Sequence, residues 1–160
     1  MAPIERTAAA MRSEDKSEQA YLEPTQENGR ALFARDISGS FIMLNLIRLR
    51  DVADYSAAPE LSPPAPSSGA EAFDRYIEHT LPYLRQSGGD LLLLARGGAF
   101  FIGPEHERWD VAMLVRQASV ASFIAFAANA EYRAGLGHRT AAIEDSRLLP
   151  LEEARKLSAL

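Results

Sequence analysis

Three short runs in this chain are apolar at consecutive positions instead of alternate ones: Phe41 to Leu49, Asp90 to Ala95 and Val111 to Val115. A strand with one face in water alternates apolar and polar side chains, so strands built from these runs need cover on both faces. The pattern predicts a buried sheet, and it predicts a partner for the sheet.

Between the runs the spacing changes. Pro24 to Arg35 reads as a short helix weakened by Gly29. Asp51 to Ser67 holds Pro59, Pro63, Pro64 and Pro66, which forbid a helix and predict a long extended loop. Ser68 followed by Glu71 has the spacing of a reciprocal cap, and Phe73, Tyr76, Ile77, Leu81 and Leu84 then form one helical stripe. Pro82 is expected to kink that helix, Gly88 and Gly89 to end it, and His79 to face solvent opposite the stripe. A second strand is expected from Asp90 to about Gly103, with a bulge or bend at Gly97–Gly98. The third runs from Trp109 to Arg116, and Ser119 caps a helix carrying Val120, Phe123, Ile124 and Ala127. Asn129 divides it from a second helix reaching about Ile143, and Ser146 to Leu151, with Pro150, reads as an edge strand.

The order is strand, helix, strand, strand, helix, strand, preceded by one extra helix. With right-handed crossovers this predicts an α+β, ferredoxin-like split βαβ sandwich with an antiparallel sheet and helices on one face. The other face would expose about a dozen aliphatic side chains, a larger patch than monomers leave bare. The expectation is a homodimer pairing sheet against sheet.

Composition narrows the class. The 160 residues are 47% hydrophobic and 24% charged, which fits one globular domain; residues 1–20 read as a flexible tail and 21–160 as the domain. No run approaches the roughly 18 apolar residues of a spanning helix, and the N-terminus lacks a secretory core, so neither membrane nor export is expected. The absence of cysteine removes disulfides and thiolate chemistry and fits a cytoplasmic address. A net charge of −5 without a basic stripe argues against nucleic acid. Among the basic residues only Lys16 and Lys156 are lysines. The rest are arginines, which reflects either recognition of planar anions or composition bias.

The stretches FIMLNLIRLRDVADYS (41–56), GAEAFDRYIEHTLPYLRQSGGDLLLLARGG (69–98) and RQASVASFIAFAANAEYRAGLGHRTAAIEDSRLLPL (116–151) resemble, in order and spacing, the domain of unknown function 1330 family of the dimeric α/β-barrel superfamily. The resemblance implies a ferredoxin-like protomer whose sheet meets that of a second copy. It fixes no chemistry, because the superfamily holds isomerases, cofactor-free monooxygenases and haem-degrading enzymes alike. The first 40 residues, the proline-rich loop and the Pro104–Arg108 insertion depart from the family's pattern.

Candidate chemistry is sparse. Asn45 and Arg48 interrupt an apolar strand and need partners there: either a ligand carbonyl or carboxylate, or backbone for Asn45 and a carboxylate such as Asp51 or Asp145 for Arg48. Trp109 forms either a pocket wall or part of the core or dimer interface, and Tyr55 is either a lid or a loop anchor. His138 is the candidate proton shuttle, with Arg139 beside it as a ligand contact. Glu105, His106 and Glu107 sit at adjacent positions that diverge, so no metal is expected, and no other cofactor either. Three functions remain: a binder of a small anionic or carbonyl-bearing molecule, a cofactor-free isomerase or monooxygenase-like enzyme, or a purely structural dimer. The first two call for one cavity holding Asn45, Arg48 and His138 together.

Overall fold

Reciprocal caps set where the first two helices begin in a computed structural model, which describes residues 19–159. The expected tail lies outside the described residues except for its last two. Thr25 and Asn28 cap α1 (Gln26–Ala34), a shorter helix than the sequence suggested and one with no buried residue. Ser68 and Glu71 cap α2 (Gly69–Gln86), each side chain accepting from the other's backbone N–H, at 3.1 and 2.7 Å. The α2 helix continues through Pro82 to Gln86.

Strands β1 (Phe41–Leu49), β2 (Asp90–Ala99), β3 (Arg108–Gln117) and β4 (Ile143–Leu151) form one antiparallel sheet in the order β2-β3-β1-β4. With α2 between β1 and β2, and α3 (Val120–Ala128), α4 (Ala130–Arg133) and α5 (Leu136–Ala142) between β3 and β4, this is the ferredoxin-like arrangement. Four expectations shift. The bulge in β2 falls at Leu92, not at the glycine pair. β2 ends at Ala99, leaving Phe101 and Ile102 fully exposed in the turn to β3. The helix expected to reach Ile143 breaks at Gly135, and β4 starts at Ile143. His79 does not point to water: its ring packs on Gly135, and its Nε2 lies 2.9 Å from the Glu131 carbonyl.

The register sorts the sheet's side chains. Phe41, Met43, Asn45 and Ile47 of β1 pair with Gln117, Val115, Met113 and Val111 of β3 and face the helices. The main core gathers Ile47, Phe73, Met113, Ala141, Ala142 and Ile143, and a second cluster joins Leu84, Phe126 and Tyr132. Each large side chain so buried contributes about 1.5–3 kcal/mol. Gly69 ties the layers together: its N–H donates to the Arg50 carbonyl at 3.1 Å, and Arg50 N–H donates to Ala142 at 2.9 Å.

Ile42, Leu44, Leu46, Ala112, Leu114 and Leu149 lie on the opposite face, which no helix among the described residues covers. Leu93 and Leu149 remain 46% and 53% exposed there. Helices on one face and a bare second face are what the sequence predicts for the protomer, and β2 is its most open strand, with Leu92, Leu93 and Leu94 all exposed. The reason is positional: β2 is an edge strand, and the helices sit on one side of the sheet.

Candidate functional site

A cavity of about 450 Å³ opens between the helix-facing side of the sheet and α2 to α5. Its floor is Met43, Asn45 and Ile47 of β1 with Met113, Val115 and Gln117 of β3; its roof comes from α2 and the α3–α5 segment. Leu22, Glu23 and Pro24 cross its edge as a strap. The Tyr21 N–H donates to the Asp145 carboxylate at 2.8 Å, the Ser146 hydroxyl donates to the Tyr21 carbonyl, and Arg139 Nη1 donates to the Leu22 carbonyl at 2.7 Å. Burial works against the Asp145 carboxylate, but the Tyr21 amide, Arg147 and the Ser146 amide together outweigh it and hold its pKa below the ordinary value.

The walls are mostly aliphatic and aromatic, with a few polar groups among them. Asn45 Nδ2 donates to the Met43 carbonyl at 3.2 Å, and the Tyr76 and Tyr132 hydroxyls lie 3.0 Å apart. Burial, followed by the neighbouring Tyr76, raises the Tyr132 pKa, so the Tyr132 hydroxyl keeps its proton. Thr80 and Gln117 are 8% and 3% exposed, and among the described residues neither Thr80 Oγ1 nor Gln117 Oε1 has a hydrogen-bond partner. Orphaned buried polar atoms cost about 1–3 kcal/mol each, and two of them in the lining of one cavity call for a partner from outside the chain.

The sequence candidates divide among three places. Asn45 and Arg139 line this cavity. Arg48 lies on the opposite face, its Nε donating to the Arg108 carbonyl at 3.3 Å. Its guanidinium is 5.2 Å from the centre of the Trp109 ring, and that of Arg147 lies 5.0 Å from the same ring and 4.7 Å from that of Tyr21. Trp109 is buried there, its indole N–H donating to Glu107 at 3.2 Å. Tyr55 and His138 meet outside the cavity lining: the Tyr55 hydroxyl is 2.8 Å from His138 Nδ1 and accepts from Arg75 Nη1 at 3.3 Å. Burial, then the charge of Arg75 and the nearby His79, lowers the His138 pKa. The single cavity expected to hold Asn45, Arg48 and His138 together is not formed. Among the described residues no group of three or more acidic or histidine side chains could hold a metal ion, and no helix is long and apolar enough to cross a membrane.

The whole arrangement has relatives among solved structures. Two crystal structures of the RPA0582 protein, one of a methylated form and one described as a protein of unknown function from Rhodopseudomonas palustris, are each 33% identical to this chain. They cover 85% and 86% of it and 96% and 100% of their own chains, with TM-scores of 0.75 and 0.73. This chain belongs to the RPA0582 family. A dimeric protein of unknown function and ferredoxin-like fold from Bacteroides fragilis aligns at 15% identity over 71% of the chain, with a TM-score of 0.43. No family model matches, and no curated protein does.

For this member of the RPA0582 family, sequence reasoning missed Thr80 and Gln117, although both carried a signal. Phe73, Ile77, Thr80 and Leu84 fall on one helical stripe, and Val111, Met113, Val115 and Gln117 on one strand face. A polar residue in an apolar phase marks a cavity wall or a buried hydrogen bond. Asn45 was noticed for that reason, whereas Gln117 lay one residue beyond the expected strand end.

Proposed function

We propose that this protein binds a small anionic or carbonyl-bearing organic molecule in the cavity between sheet and helices. The observation that carries this reading is the pair of buried polar atoms without a partner among the described residues, Thr80 Oγ1 and Gln117 Oε1, in the mostly apolar lining of a cavity of about 450 Å³. That volume lies within the roughly 300–1,000 Å³ range of ligand sites, and an apolar body with few fixed polar groups is their usual composition. Arg133 and Arg139 also line the cavity and supply positive charge, and neither has a carboxylate partner among the described residues. The acidic net charge favours a small molecule over nucleic acid.

The same reading makes the protein a cytoplasmic homodimer within the dimeric α/β-barrel superfamily, in the manner of the domain of unknown function 1330 family. Its support is the uncovered aliphatic face of the sheet, which a second copy would bury.

Catalysis by Asn45, Arg48 and His138 acting together loses its geometric basis, since they occupy separate places. The test of binding is a thermal-shift screen of monocarboxylates, ketones and amides against the wild type and an Ala127→Phe variant. Ala127 lines the cavity, and a ring there would occupy it. Stabilisation of the wild type by some of these compounds, lost in the variant, is the expected result. Stabilisation of both alike, or of neither, rejects the cavity as a ligand site.

A further inference from the structure

The cavity has two chemically different ends, and their separation can be read from the strand register. Gln117 pairs with Phe41 at the start of β1, whereas Ser146, 3.5 Å from Arg139 Nη2, pairs with Ile47 six residues further on. At about 3.3 Å per residue the two ends are roughly 20 Å apart along the strand, less the reach of the side chains. The sheet floor between them, Met43, Asn45 and Ile47 of β1 with Met113 and Val115 of β3 and Leu148 of β4, is apolar apart from the Asn45 amide.

The two ends ask for different groups. Gln117 Oε1 is an acceptor, so it needs a donor; Thr80 Oγ1 can give or take a hydrogen bond. A hydroxyl group has the hydrogen-bonding chemistry that each of them needs. Arg139 is a planar donor whose only protein partners among the described residues are the Leu22 carbonyl and the Ser146 hydroxyl, both neutral. A carboxylate would add the charge-assisted bonds that these oxygens do not provide.

Resting on the cavity reading above, we propose that the ligand is an elongated hydroxy acid: a carboxylate at Arg139, an apolar chain along β1, and a terminal hydroxyl between Gln117 and Thr80. A simple fatty acid would leave the two buried oxygens unpartnered, and a compact acid would not reach from one end to the other.

The experiment titrates straight-chain carboxylates from hexanoate to dodecanoate, each beside its ω-hydroxy counterpart and its ω-hydroxy primary amide, by isothermal calorimetry. The wild type should bind the ω-hydroxy acids about tenfold more tightly than the parent acids, as expected for satisfying a buried polar atom worth about 1.4 kcal/mol. Affinity should also peak at one chain length. Gln117→Leu and Thr80→Val should abolish the hydroxyl preference while keeping the parent acids bound. Arg139→Leu should weaken the acids and leave the amides, which a merely structural Arg139 would not do. Parent and hydroxy acids bound equally, or affinity that simply rises with chain length, overturns this inference while the cavity reading stands. Failure of every compound to bind overturns both.

Discussion

His138 shows how far a single residue's role depends on its neighbours. With Arg75 donating to the Tyr55 hydroxyl, the phenol's own proton is left for Nδ1, which keeps the imidazole neutral with its proton on Nε2. Arg75 and His79 face it from α2 and Tyr55 from the loop, and burial with the first two lowers its pKa from 6.5. Below about pH 6.5 the unfolded chain therefore takes up this proton more readily than the folded one. The stability that neutral His138 contributes is complete above that pH and is lost as the pH falls toward the lowered folded value. Denaturant midpoints measured from pH 8 downward should show a decline in the wild type that His138→Gln flattens; parallel curves would contradict the assignment. The sequence presented His138 as a lone imidazole, since its partners come from 83 and 63 residues away in the chain.

Among the elements, local chemistry and tertiary contact can be separated within one helix start. The Ser68–Glu71 box was legible because its partners are three residues apart. Ser68→Ala should cost about 1 kcal/mol in urea unfolding, the usual loss for a cap. The next residue is different: a methyl group on Gly69 would collide with the Arg50 and Ala142 carbonyl oxygens, which are backbone and cannot swing away. Gly69→Ala should therefore destabilise by about 3 kcal/mol or more despite alanine's higher helix propensity, read as a fall in urea midpoint. No spacing in the sequence announces that collision, because three segments meet at Gly69 only after folding. The break at Gly135 also involves a contact remote in sequence: the His79 ring packs where a side chain at 135 would begin, across 56 positions.

At the scale of the whole molecule the sheet has one face on the cavity and one that no helix among the described residues covers. If a second copy covers it, Leu44→Asp, at the centre of the aliphatic face and paired with Leu114 and Leu149, should turn a dimer into a monomer in light scattering. A monomeric wild type would remove the dimer from the reading and leave the cavity untouched, since the two lie on opposite sides of the sheet.

Parity along the strand was available from the start. Asn45 and Arg48 are three residues apart, so they point to opposite faces, and grouping them in one site conflicted with the alternation itself. The sequence alone determined the order of elements, the Ser68–Glu71 and Ser119 caps and the residues that share a face, because each follows from periods of two or 3.6 and from contacts a few residues apart. Only the tertiary structure decided which polar residues meet. Thr80, Gln117, Asn45 and Arg139 come from α2, β3, β1 and α5, and their joint lining of one cavity depends on how the helices seat on the sheet, which packing over long chain separations sets.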